Sequence, residues 1–317
     1  MLILMLELAV LGSGSSGNSA VLCLGETRVL IDAGLSAKQI GLRLESLEID
    51  PDSLNAIVLT HEHGDHTRGI DVFCRKRKLP IYATTHTCKI VSEDVKSDVV
   101  WRPFEAGNSF KVEDIKIESF SVPHDAVDPV GFVFHCTRSR VGVLSDVGHV
   151  TRMIVDRLRG VDTLFAESNY DEVMLQNDTK RPWATKQRIS NRHGHLSNEQ
   201  TAELVEQIAS PTLTRVVLGH LSSDCNTSDL ACKVIRKRLE ERGFDGVEVE
   251  CADRKDPLPL RPAARETADS APQSEVEQTS EIVEEIAANS SRVCEPSAPV
   301  AAAEGASKEW KQTEWAF

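Results

Sequence analysis

Four short apolar runs in this chain each stop at a cluster of histidine or aspartate. Ala56-Ile57-Val58-Leu59 leads into His61-Glu62-His63-Gly64-Asp65-His66, and an alternating run from Ile115 to Val122 leads into Pro123-His124-Asp125. Arg140-Val141-Gly142-Val143-Leu144 meets Ser145-Asp146, and Arg215-Val216-Val217-Leu218 meets Gly219-His220. Runs of this length bounded by turn residues predict strands, the continuous ones buried on both faces. Three more strands are expected at 6–11, 20–24 and 27–31, as an opening antiparallel series. Helices are expected from the Ser36/Gln39 box to about 47, at 68–78 behind the histidine loop, from the Ser197/Gln200 box through the periodic segment around 201–205, and at 228–242. A last strand is expected at 246–251. Strands that repeatedly end in candidate ligands place those ligands at one edge of a β-sandwich.

The densest cluster, His61 to His66, packs three histidines and an aspartate into six residues around a glycine that permits a tight turn. Imidazole suits zinc, iron or manganese, and an aspartate adds charge and can bridge, so a pair of hydrolytic metals fits better than a structural zinc.

Composition narrows the setting. The chain has 317 residues, enough for a full core, and no apolar stretch approaches the ~20 residues of a membrane span. The apolar opening Met1 to Leu6 lacks a basic region and meets Glu7 at once, so no secretory leader is expected and Met5 is an alternative start. Eight dispersed cysteines without a Cys-x-x-Cys pair fit a reducing cytoplasm. The net charge of -13 divides into 13 acidic and 7 basic residues from Ala252 onward, against 36 and 29 before it. Local basic clusters stand at Arg75 to Lys78, Arg181 to Arg192 and Arg236 to Arg238. Each is a solvated face or a track for a phosphate backbone.

Taken together, the chain resembles the metallo-β-lactamase superfamily and, more narrowly, its WalJ/YycJ-type family of small bacterial exonucleases. Carrying the resemblance are Leu11-Gly12-Ser13-Gly14-Ser15-Ser16-Gly17-Asn18-Ser19, the histidine motif, Val122 to Ala126, Ser145 to Gly148, Glu167 to Asp171, Gly194-His195-Leu196-Ser197-Asn198 and Gly219 to Ser222. It implies a four-layer αββα sandwich over residues 5–251. It implies one metal held by His61, His63, His124 and Asp146, and a second held by Asp65, His66, His220 and Asp146, which bridges. The ions would be zinc or manganese, and a hydroxide shared between them the nucleophile. His195 and Asp65 are then the catalytic side chains, with His195 binding a phosphate oxygen or protonating the leaving alkoxide. With only 73 residues between Asp146 and His220, a compact version without an inserted domain is implied.

Substrate contacts are read from residue type. The Gly/Ser loop suits an anion, with Ser15 and Asn18 as candidates, or serves merely as the first hairpin loop; no Gly-Lys-Ser/Thr ending makes it a Walker loop. Arg188 and Arg192 lead into His195 and are the other phosphate candidates. His86, His149 and His193 fit surface positions, and His135 sits within a strand. Residues 252–317 are Pro/Ala/Ser/Glu-rich and expected to be disordered, apart from Trp310, Trp315 and Phe317, which suit docking to a protein partner. Three classes of function follow: a phosphodiesterase, with the resemblance favouring 5′-to-3′ exonuclease action on double-stranded DNA in replication or repair; a hydrolase of a small phosphodiester or thioester; and a non-catalytic metal-binding scaffold, which has no use for so many ligands.

Overall fold

The computed structural model describes residues 4–265. The opening strands form as expected: β1 (Glu7–Gly12), β2 (Ser19–Leu24) and β3 (Thr27–Ile31) run antiparallel, with Ala9 opposite Val21 and Val21 opposite Leu30. Beyond β3 the pairing turns parallel through β4 (Ala56–Val58), β5 (Pro80–Thr84) and β6 (Val100–Phe104). The second sheet repeats this plan. It begins antiparallel with β7 (Ser109–Val112), β8 (Ile115–Ser121), β9 (Val130–His135) and β10 (Arg140–Leu144), then adds β11 (Thr163–Glu167), β12 (Arg215–Gly219) and β13 (Glu248–Cys251) in parallel. A short β14 (Arg261–Pro262) closes the first sheet beside β1, so each sheet has seven strands.

Side chains alternate between the faces of a strand, and here both faces are covered. On β4, Ala56 and Val58 lie between the sheets with Phe132 and Val143, whereas Ile57 packs outward with Ile40 and Leu44 of the helix Ala37–Ser46 and with Phe73. On β11, Phe165 points between the sheets, and Leu164 and Ala166 pack outward with Ile154, Val205 and Ile235 from the helices Arg152–Leu158, Asn198–Ile208 and Ser228–Glu241. The layers are therefore helix, sheet, sheet, helix. A strand covered on both faces must be apolar throughout, which explains the unbroken runs in the sequence.

Two elements differ from expectation. The helix expected at 68–78 is instead two short ones, Gly64–Thr67 and Ile70–Cys74. Gly69 interrupts them because its N–H donates to the carbonyl of Ala33 (2.7 Å) and not to a carbonyl one turn back. The packed body also runs past Cys251. Leu258 N–H donates to Val10 O (2.9 Å), Ala263 N–H donates to Leu6 O (2.7 Å), and Ala263 is fully buried. Proline cannot donate to a ladder and is confined to edge strands, which is where Pro262 sits. A Pro-rich segment without periodicity thus still completes a sheet. Trp310, Trp315 and Phe317 lie outside the described residues.

Candidate metal centre

Parallel pairing and the β8/β9/β10 antiparallel series send β3, β4, β8, β10, β11 and β12 toward one edge, and the candidate ligands follow their carboxyl ends. Two of these ends turn through left-handed backbone to aim a ligand, at Asp146 (φ 55°) and His220 (φ 51°), and a third does so at Asp32 (φ 56°). Outside glycine this region is sparsely populated and costs on the order of 1–3 kcal/mol, a strain found mostly at functional sites.

The donors converge. Ligand atoms of His61, His63 and His124 lie within 4.8 Å of one another, as do those of His61, His66 and Asp146, and those of Asp146, Glu167, His195 and His220. Asp146 is common to the last two groups. Its carboxylate lies 3.0 Å from His66 Nε2, 3.0 Å from His220 Nδ1 and 3.9 Å from His124 Nε2. The Asp65 carboxylate lies on the side of His66 and His220, 3.6 Å and 3.8 Å from their Nε2 atoms. His61, His66, His124, Asp146 and His220 are buried, and His63 and Asp65 half-buried. All seven expected ligands therefore share one site.

Burial and neighbouring charges oppose one another at these donors. Burial pulls His66 and His220 down, but the carboxylates around them, Asp32 and Asp146 for His66 and Asp146 for His220, overcome it, holding His66 well above the usual histidine range and His220 at about 9. Burial opposes ionisation of Asp146 too, yet His220 and His66 keep its carboxyl well below the usual range. Burial lowers His124 to about 4 and leaves His61 well below its ordinary value, both neutral and ready to ligate. His124 Nδ1 donates to Gly194 O (3.1 Å), while its buried Nε2 has no hydrogen-bond partner. A buried nitrogen aimed at other donors and satisfied by none of them is what a metal ligand looks like before the metal.

A second layer fixes these groups. Asp32 accepts from Thr60 N (2.8 Å), Thr60 Oγ1 (2.9 Å) and His66 Nδ1 (2.8 Å), which turns His66 Nε2 inward. Glu167 accepts from the N–H groups of Val147 (2.5 Å) and Leu196 (3.2 Å) and from His195 Nδ1 (3.0 Å). Asp32 was not picked out from sequence, and Glu167, which opens one of the motifs noted there, was given no role; yet Asp32 follows β3 and Glu167 ends β11, the same signal of a strand running into an acid that marked Asp146. His195 stands at the rim, half-buried, with its ring 5.1 Å from that of His220 and 5.4 Å from that of His124. The capping box expected at Ser197 and Gln200 is present just behind it. Gly148 and Gly194 let two loops touch: a Cβ on Gly148 would collide with the backbone of Arg192 and His193, and one on Gly194 with the carbonyls of Arg188 and Ile189.

The phosphate candidates divide. Ser15 is exposed on the loop after β1. Asn18 is buried: its Oδ1 accepts from Ser13 Oγ and Gly14 N, and its Nδ2 donates to Asp65 Oδ2 (3.2 Å), so its side chain is occupied in positioning Asp65. Arg188 pairs with Asp125 (3.2 Å), and Arg192 Nη2 lies 3.2 Å from His149 Nε2. His135 pairs with Glu118 (3.3 Å) away from the site, and His86 and His193 are exposed.

Residues 27–221 match the model of the beta-lactamase superfamily domain. The chain is 32% identical over 262 residues to exodeoxyribonuclease YycJ of Bacillus anthracis, covering 81% of this chain and 98% of that protein. The chain belongs to this family of the metallo-β-lactamase superfamily. It is 37% identical over 246 residues to exodeoxyribonuclease WalJ of Streptococcus pneumoniae, covering 76% of this chain and 91% of WalJ. Among solved structures it is similar to the metallo-β-lactamase fold protein YhfI from Bacillus subtilis, with a TM-score of 0.62 at 16% identity over 80% of this chain and 98% of that one. The four-layer sandwich and its ligand-bearing edge are thus those of a metal-dependent hydrolase.

Proposed function

We propose that this protein is a dinuclear exodeoxyribonuclease that removes nucleotides in the 5′-to-3′ direction from double-stranded DNA during replication or repair in the cytoplasm. The observation that carries this reading is the convergence of seven metal-type donors, Asp146 among them, in a chain matched along 91% or more of two proteins named exodeoxyribonucleases. His61, His63, His124 and Asp146 hold one divalent ion, and Asp65, His66, His220 and Asp146 the other. The nitrogen-rich donor set with shared carboxylate suits zinc or manganese. When bound, such ions supply Lewis acidity toward a phosphate and activate water.

The chain's own groups do the rest. Glu167 accepts from His195 Nδ1, which fixes the tautomer and leaves Nε2 to hydrogen-bond a phosphate oxygen or to give a proton to the leaving alkoxide. Asn18 and Asp32 keep Asp65 and His66 turned toward the substrate side. The seven described cysteines are all free, and no helix among the described residues is long and apolar enough to cross a membrane; the free thiols support the cytoplasmic setting. Trp310, Trp315 and Phe317 are the proposed contacts to a protein partner.

Products from end-labelled duplex DNA, single-stranded DNA and RNA, assayed beside bis(p-nitrophenyl) phosphate, test the reading. A duplex labelled at its 5′ end should release labelled mononucleotide from the first turnover. Hydrolysis of the small diester alone would make the protein a small-substrate hydrolase.

A further inference from the structure

The helix Trp183–Ser190 buries none of its side chains, and Trp183 is 71% exposed, more than any other large apolar residue described. Trp183, Ala184, Gln187 and Arg188 are all exposed and fall on one arc of the helix, while Lys186, on the other side, donates to Gln176 O (2.7 Å). This exposed arc is tied to the metal centre. Arg188 pairs with Asp125, the neighbour of His124, and the Asp125 N–H donates to His193 O (2.9 Å). His195 N–H in turn donates to Ile189 O (2.8 Å), and Gly148 and Gly194 admit the close contact of these loops. Arg192 follows on the same stretch, exposed.

An exposed indole face on a helix tied to the candidate metal centre, followed along the chain by Arg188 and Arg192, has the makeup of a single-strand nucleic-acid track: aromatic faces stack bases and cations follow the backbone. Trp183 precedes Arg188 by five residues, about 7.5 Å of helix, or roughly two base steps of ~3.4 Å. Resting on the reading as a deoxyribonuclease, we propose that this arc guides the DNA strand into the site. Trp183 stacks on a base about two nucleotides from the phosphate that Arg188 meets, and Arg188 and Arg192 meet phosphates between that base and the metal centre. A base offers its face only when it is unstacked, so the strand engaged has unpaired terminal nucleotides.

Two measurements on the metal-loaded enzyme test this. The first is quenching of tryptophan fluorescence by a short, 5′-phosphorylated, hydrolysis-resistant phosphorothioate oligonucleotide; the second is steady-state cleavage of duplex DNA with an unpaired end. Trp183→Ala should lose most of the quenching and raise KM for DNA roughly tenfold while changing kcat little, and Trp183→Phe should keep most of the affinity. Hydrolysis of bis(p-nitrophenyl) phosphate, too small to reach the helix, checks that the variant is folded. A Trp183→Ala enzyme that cleaves DNA with the parent KM and is quenched like the parent overturns the proposal. A parent enzyme that hydrolyses the small diester but neither binds nor cuts DNA overturns instead the deoxyribonuclease reading on which it rests.

Discussion

The Asp146 carboxylate faces His66, His124, His195 and His220, yet the residues that decide its chemistry are those that hold its neighbours. His195 reaches the site through Glu167, which also accepts the N–H of Val147, next to Asp146. His195→Ala should therefore keep its metals and lose turnover by roughly a hundredfold or more, the scale of a missing acid or oxyanion donor. Metal content and kcat measured on one preparation check this; loss of metal together with activity would make His195 a ligand. Loading should also depend on pH. In the metal-free protein His220 holds its proton up to about 9 and His66 is likewise raised, so binding an ion must expel protons. Affinity should then weaken as pH falls, by about tenfold per unit for each proton displaced, and titrations at pH 6 and pH 8 would show it. That these side chains gather at one edge was legible from sequence, because histidines crowded behind an apolar run have few other uses and the later strands end in the same residue types. The occupation of Asn18 was not, since its partner Asp65 stands on the helix Gly64–Thr67, which only the fold brings to the loop of Ser13 and Asn18.

Strands were the easier elements to read, since a segment buried on both faces must be apolar along its whole length. Each ligand-bearing strand lies within a residue or two of its expected place. Short helices were harder: the turn from His63 to Cys74 is broken by the bond from Gly69 to Ala33, a long-range contact that helical periodicity does not encode. The domain end was misjudged for a similar reason. An edge strand with a proline has too few residues to show alternation, and its worth lies in covering β1. A chain ending at Arg265 should melt as the full-length protein does. A chain ending at Cys251 loses the buried Ala263 and the pairing of Arg261 and Pro262, and should melt lower by roughly 5–10 °C. Scanning calorimetry on the two chains separates these outcomes, and equal melting would place the end of the fold at Cys251.

At the scale of the molecule, 49 acidic against 36 basic residues look ill-suited to a polyanionic substrate. The two divalent ions proposed above would resolve this locally, adding about +4 where the phosphate must sit. Everything proposed for the chemistry depends on those two ions sharing Asp146. Elemental analysis of the purified protein beside Asp146→Ala tests that dependence most directly. About two divalent ions per chain are expected in the parent and loss of both in the variant; a parent with a single ion, or a variant that retains two, would contradict the shared carboxylate.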